Sequence, residues 1–272
     1  MTSPIEISIA QFQRQIGTRH PPIVLDVRIP EDIALDPRRL PTAEWRDFRE
    51  ARQWASLYRG QDVVVICQKG LKLSQGVAAL IRHAGGRAES LEGGFEAWRE
   101  AGGLLVRPEA LPAPQSDGAT LWVTRMRPKI DRIACPWLIR RFVDPRATFL
   151  FVTPGEVVAV AERFGATPFD VEDVFWSHRG ELCTFDIMVQ EFGLSHPPLD
   201  HLARIIRAAD TATLKREPEA AGLLALSLGL SRLHRDDLAQ LEEGMLIYDA
   251  LYRWCRDAVS ETHNWPNPGR RA

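Results

Sequence analysis

The stretch VVVICQKGLKLSQGVAAL (Val63–Leu80) decides the fold. A run of β-branched residues ends in a lone cysteine, then come a glycine and two lysines, then a helical pattern. A short continuous apolar run bounded by a turn predicts a strand covered on both faces, as inside a parallel sheet. Cys67 then stands at the carboxyl end of a strand, where parallel α/β sheets bind their ligands. Two readings compete. Cys67 is one more packed apolar side chain, or it is a nucleophile in an anion-binding loop.

The chemistry of the loop Gln68–Lys72 favours the second. The following helix is expected to begin near Ser74, turning its free N–H groups and the positive end of its dipole toward the loop. Gly70 lets the backbone curl without a Cβ clash. Lys69 and Lys72 add positive charge. Each feature favours an ionised sulfur over a thiol and also suits an anionic ligand.

Outward from this stretch, IVLDV (Ile23–Val27) is a second β-branched run. ISIAQFQRQI, WRDFREARQWASLY and SQGVAALIRHAG carry helical patterns. Strands alternating with helices predict α/β architecture with a mostly parallel sheet flanked by helices. PEALPAPQSDGAT (Pro108–Thr120) is poor in large apolar side chains and reads as a linker unable to order itself. Beyond it, LDHLARIIRAAD (Leu199–Asp210) and LAQLEEGMLIYDALYRWCRDAV space their apolar residues three and four apart, predicting amphipathic helices. WVTRM and ATFLFV are the strand candidates there, so a second, α-rich α+β domain is expected.

The 272 residues suffice for two domains, and 45% hydrophobic with 26% charged residues is a soluble globular composition. A net charge of -2 argues against a dedicated nucleic-acid binder. No run approaches the ~18 apolar residues of a membrane span, so no membrane partner is expected. MTSPIEISIAQF lacks the cationic start and apolar run of a secretory signal. Cys67, Cys135, Cys183 and Cys255 lie far apart without CxxC pairs, which points to a reducing cytoplasm.

The segment from Arg125 to Arg146 holds seven cationic residues against two acids. Arg125, Lys129, Arg132, Arg140 and Arg141 are candidates for an oxyanion cradle, the alternative being a solvated face with salt bridges. His178, Asp186 and Asp210 are candidate metal ligands whose imidazole and carboxylate donors suit Zn, Fe or Mn. Hydrogen-bonded polar groups at a domain core are the alternative. Cys135 and Cys183 read as packed thiols, and His196, His201, His234 and His263 as surface or capping residues.

LDVRIPED (Leu25–Asp32), CQKGLK (Cys67–Lys72) and LEGGFEAW (Leu91–Trp98) occur in the order and spacing of a single-domain rhodanese, which residues 1–107 resemble. That resemblance implies a sulfurtransferase with no required cofactor. Cys67 would take a sulfane sulfur from a small anionic donor such as thiosulfate and pass it, as a persulfide, to a thiol or cyanide. Gln68, Lys69, Gly70, Leu71 and Lys72 would bind the donor, with Asp26 and Arg28 as supporting structure. Related phosphatases use a loop one residue longer, so the six residues Cys67–Lys72 imply sulfur rather than phosphate. Leu73 stands where the family often has a small hydroxyl residue, and Ser74 comes one place later.

PKIDRIACPWLIRRFVDP, HRGELCTFD (His178–Asp186) and ARIIRAAD (Ala203–Asp210) resemble the C-terminal domain of ChrB-type chromate-resistance proteins, across about 121–268. This implies a link to chromate or thiol-stress resistance, with chromate as a candidate ligand. The alternative function is a non-catalytic sensor of oxyanions such as chromate or sulfate.

Overall fold

The computed structural model describes residues 5–261. In the first part the chain runs β1 (Glu6–Ile7), α1 (Ile9–Gln15), β2 (Ile23–Asp26), α2 (Pro30–Leu35), β3 (Glu44–Trp45), α3 (Ala51–Trp54), β4 (Asp62–Ile66), α4 (Lys72–His83), β5 (Arg87–Leu91) and α5 (Gly94–Glu100). The five strands form one parallel sheet in the order β1-β5-β4-β2-β3. β4 lies at its centre, so both faces are covered. Val64 and Ile66 enter one apolar cluster with Phe12, Phe95 and Trp98, while Val63, Val65 and Cys67 enter another with Trp54, Val77 and Ile81.

Two segments depart from the sequence expectation. ISIAQFQRQI is a strand end and a helix, not one helix. Ser8 divides them by a capping box, in which its Oγ accepts from the Gln11 N–H at 3.3 Å and Gln11 Oε1 accepts from the Ser8 N–H at 3.0 Å. WRDFREARQWASLY likewise breaks into the end of β3, the single turn α3 and flanking 3₁₀ turns.

The second part runs β6 (Leu121–Arg125), α6 (Asp131–Leu138), β7 (Thr148–Val152), α7 (Val157–Phe164), β8 (Thr167–Pro168), α8 (Thr184–Phe192), α9 (Pro197–Asp210), α10 (Ala220–Leu233) and α11 (Asp237–Asp257). Its strands form a small parallel sheet in the order β7-β6-β8. Helix α6 carries Trp137 between α8 and α11, its ring 5.5 Å from that of Tyr252 and 6.3 Å from that of Phe185.

The linker is ordered, contrary to expectation. Pro108–Ala110 forms a 3₁₀ turn, Ala110 and Leu111 pack on the core, and the Gln115 N–H donates to Ala119 O at 2.8 Å. Neighbours supply the apolar surface that the segment lacks. The two parts also share one apolar core. The Thr42 N–H donates to Phe142 O at 3.0 Å, the Arg107 N–H to Phe192 O at 3.0 Å, and Arg256 Nη1 to Ile16 O at 3.2 Å. No described helix is long and apolar enough to cross a membrane.

Candidate functional site

The loop after β4 is built around Cys67, a buried residue at 5% exposure. Helix α4 begins at Lys72, two residues earlier than the sequence suggested, and Leu71 at its N-cap offers no side-chain acceptor. The first N–H groups of a helix lack intrahelical partners. Among the described residues no acceptor is seated on the main-chain N–H of Gln68, Lys69, Gly70, Leu71 or Lys72. Ser74, in the first turn, places its Oγ 3.2 Å from Cys67 Sγ. The hydroxyl missing at Leu73 is thus supplied from the next position.

The LEGGFEAW motif holds this loop from below. The Phe95 N–H donates to Cys67 O at 3.0 Å and the Glu96 N–H to Gln68 O at 3.1 Å. Gly70 and Gly94 adopt φ of +68° and +62°. A Cβ on Gly94 would strike Cys67 O and Gly70 N, so the two backbones meet where only hydrogen fits. Lys69, Leu71 and Lys72 are exposed, and no described carboxylate forms an ion pair with either lysine. Asp26 and Arg28 form a buried pair at 2.8 Å beneath the site. Arg28 also donates to Asp36 O and Arg38 O, and its guanidinium lies 3.8 Å from the Phe95 ring centroid. These two residues brace the α5 side of the sheet.

A second constellation lies at the carboxyl ends of β6 and β8. His178 Nε2 sits 3.3 Å from Asp210 Oδ2, 3.4 Å from Asp170 Oδ1 and 3.6 Å from Asp131 Oδ2. Asp131 opens α6 and is fully buried, with Oδ2 accepting from the Phe185 N–H at 3.3 Å. Burial, then the charges of Asp210 and Asp170, push its carboxyl well above the ordinary range. Burial also pushes Asp170 upward, but His178, Thr184, Arg132 and Arg125 outweigh that and hold it low. Hydrogen bonds to Asp170 and Asp210 raise His178 to about 10.

The structure therefore brings His178 and Asp210 together but joins them to Asp131 and Asp170. Asp186 belongs elsewhere, accepting from Arg207 Nη1 at 3.1 Å and from the Cys183 N–H at 3.0 Å. Its side chain is committed to capping α8 and to an ion pair. The five cations expected to cradle an oxyanion do not converge. Arg125 and Arg132 each stand 3.3 Å from Asp170 Oδ2, while Arg140 pairs with Glu242 and Arg141 with Asp249 at 2.8 Å. Lys129 is half-buried in the turn before α6. Internal carboxylates take up most of that local charge.

Cys135 and Cys183 are wholly buried, and burial raises both thiols. Among the remaining histidines, His196 stands at the N-cap position of α9, half-buried, with Nε2 3.3 Å from Tyr252 Oη. His201 packs on Trp254 and His234 bonds Glu243 at 3.0 Å. His263 lies outside the described residues. Asp131 and Asp170 escaped sequence reasoning. The available signal was an acid shortly after each of two strands, at the sheet end where ligands bind.

Family models match the chain twice: a rhodanese-like domain over residues 8–101 and the ChrB C-terminal domain over residues 122–255. The chain joins a rhodanese-like domain to a ChrB-type C-terminal domain. Protein ChrB of Cupriavidus metallidurans is 36% identical over 133 residues, which cover 48% of this chain and 39% of that protein. The chain thus matches about two-fifths of its curated relative. Among solved structures, a rhodanese-related protein from Thermoplasma volcanium is 26% identical and covers 37% of this chain and 96% of its own, with a TM-score of 0.32. A Staphylococcus saprophyticus protein is 21% identical and covers 38% of this chain and 98% of its own, with a TM-score of 0.33. The rhodanese-like domain holds the Cys67 loop, and the ChrB-type domain holds the carboxylate–histidine constellation.

Proposed function

We propose that the protein is a sulfurtransferase that carries sulfane sulfur as a persulfide on Cys67, in the service of chromate or thiol-stress resistance. The observation that carries this is the row of main-chain N–H groups from Gln68 to Lys72, unpartnered among the described residues and curled beside a single cysteine. Preorganised donors of this kind stabilise negative charge as it develops, without reorganisation during the reaction.

The Cys67 thiolate attacks the outer sulfur of thiosulfate. The S–S bond of the donor breaks, sulfite leaves with the electron pair, and Cys67 becomes a persulfide anion. On this reading the N–H row and the Ser74 hydroxyl, 3.2 Å from Cys67 Sγ, stabilise the negative charge of that terminal sulfur. A thiolate or cyanide then attacks it, forming a new disulfane or thiocyanate and returning the Cys67 thiolate. Lys69 and Lys72 draw the anionic donor toward the loop. The link to chromate is supported by the ChrB-type domain, and a cytoplasmic location agrees with four free cysteines.

Thiosulfate:cyanide turnover by wild type and by Cys67→Ser tests this reading, together with mass spectrometry of the protein after thiosulfate alone. Turnover and a one-sulfur mass gain that both vanish with the thiol support it. Binding of sulfate or chromate with neither would instead identify an oxyanion sensor.

A further inference from the structure

We propose that Asp131, Asp170 and His178 bind one divalent transition-metal cation, with Asp210 at the flank of the site. One carboxylate oxygen from each aspartate and a ring nitrogen of His178 lie within 4.8 Å of one another, already gathered on one point. Ligand atoms bound at 2.0–2.2 Å to a common ion are themselves separated by roughly 3–3.5 Å, by simple trigonometry from such bond lengths. His178 Nε2 lies 3.4 Å from Asp170 Oδ1 and 3.6 Å from Asp131 Oδ2, close to that spacing.

The independent observation is Asp131 Oδ1. It is fully buried and has no hydrogen-bond partner among the described residues, although the other oxygen of the same carboxylate faces His178. A buried polar oxygen without a partner is costly. An internal ionic network leaves that cost uncompensated. His178 Nε2 carries at most one proton, so it can donate to one of three carboxylates. Arg125 and Arg132 both reach toward Asp170, and neither pairs with Asp131 or Asp210. A cation at the shared point would meet the Asp131 and Asp170 carboxylates and the His178 ring together, with Asp210 beside them.

The fold places the ligands for such a role. Asp170 adopts φ +53° just after β8 and Asp131 follows Ile130 at φ +38°, a conformation unusual for a β-branched residue. Tyr248 Oη donates to Ile130 O at 3.0 Å and holds that turn. Thr184 Oγ1 donates to Asp170 Oδ1 at 2.9 Å, orienting the ligand from outside as in other metal sites. Two carboxylates and an imidazole, without thiolate or thioether, select Mn²⁺, Fe²⁺ or Zn²⁺ over soft ions such as Cu⁺. Three protein ligands leave a coordination position open, and His178 is the exposed member of the set.

The test uses the full chain stripped with chelator, then titrated with Mn²⁺, Zn²⁺, Mg²⁺ or Ca²⁺ by calorimetry, with melting temperature as a second readout. The expected result is saturable binding of one equivalent of Mn²⁺ or Zn²⁺ and a rise in melting temperature. His178→Ala and the isosteric Asp131→Asn should each weaken binding by more than roughly a hundredfold, beyond the loss typical of an outer partner. Asp131→Asn should leave the metal-free protein folded, because the amide keeps the shape of the carboxyl and relieves its crowding by Asp170 and Asp210. Cys67→Ser should bind the cation as wild type does. Absence of stoichiometric binding, or binding that survives both ligand substitutions, would overturn the proposal.

Discussion

Replacing Gly94 with alanine tests whether the glycine pair of LEGGFEAW shapes the Cys67 loop. Gly94 has φ +62°, where a side chain costs about 1–2 kcal/mol. Its new methyl would strike Cys67 O and Gly70 N and lie 2.9 Å from the Lys69 carbonyl carbon. These are main-chain atoms, so no side chain can swing aside and the loop itself must retreat. Overpacking of this kind adds about 1–3 kcal/mol. A total near 3 kcal/mol, at roughly 2–4 °C per kcal/mol for a protein of this size class, lowers the melting temperature by about 6–12 °C.

The same retreat displaces the main chain of the loop from Cys67 to Gly70, and with it the N–H groups that the proposed reaction uses. Removing one such donor from an enzyme costs roughly 10²–10³ in rate, so turnover with thiosulfate and cyanide should fall by at least about tenfold in protein that remains folded. Gly76→Ala is the control. Gly76 lies inside α4 with open space around its would-be Cβ, and alanine there should stabilise by up to about 1 kcal/mol. The assays are thermal and urea unfolding beside steady-state turnover. If Gly94→Ala melts and turns over like wild type, the close approach of the two backbones is not what shapes the loop.

Arg28→Met removes one partner of a buried pair and leaves Asp26 at 4% exposure without its cation. Breaking such a pair should cost about 3–5 kcal/mol, and the double change Asp26→Asn with Arg28→Met should recover part of it; equal urea midpoints for the two proteins would contradict this. His196 provides a pH test. Burial lowers its affinity for a proton, opposed by Leu194 O and Asp200 and reinforced by Arg256. Below its ordinary value of 6.5 the unfolded chain takes up a proton that the folded chain resists. Stability is therefore full above that pH and falls on acidification, by at most about 1.4 kcal/mol per pH unit from this group. Urea unfolding of His196→Gln should show a shallower acid slope than wild type, and identical slopes would remove His196 from the account.

What could be read without coordinates was local. Val63–Ile66 declared itself a central strand because β-branched residues at every position suit a sheet covered on both faces. Cys67, Gly70 and the following helix are contiguous, so their chemistry was visible in one short stretch. β5 was not visible, since RAESL sets a half-buried glutamate and a buried serine between Ala88 and Leu91. Helix α10 was missed as well, its leucines lying on more than one face and several of them exposed.

Tertiary structure alone decided the rest. Ser74 reaches Cys67 only because α4 starts at Lys72, and Gly94 meets Gly70 only because β5 lies beside β4. Asp131, Asp210 and the connection that carries both Asp170 and His178 are three separate segments, and no spacing rule joins residues that only a sheet edge and helix packing bring together. Short-range propensity is written in neighbouring side chains. The convergence of distant charges depends on how the elements pack, and the cap of α8 together with Arg207 holds Asp186 away from the group it was expected to join.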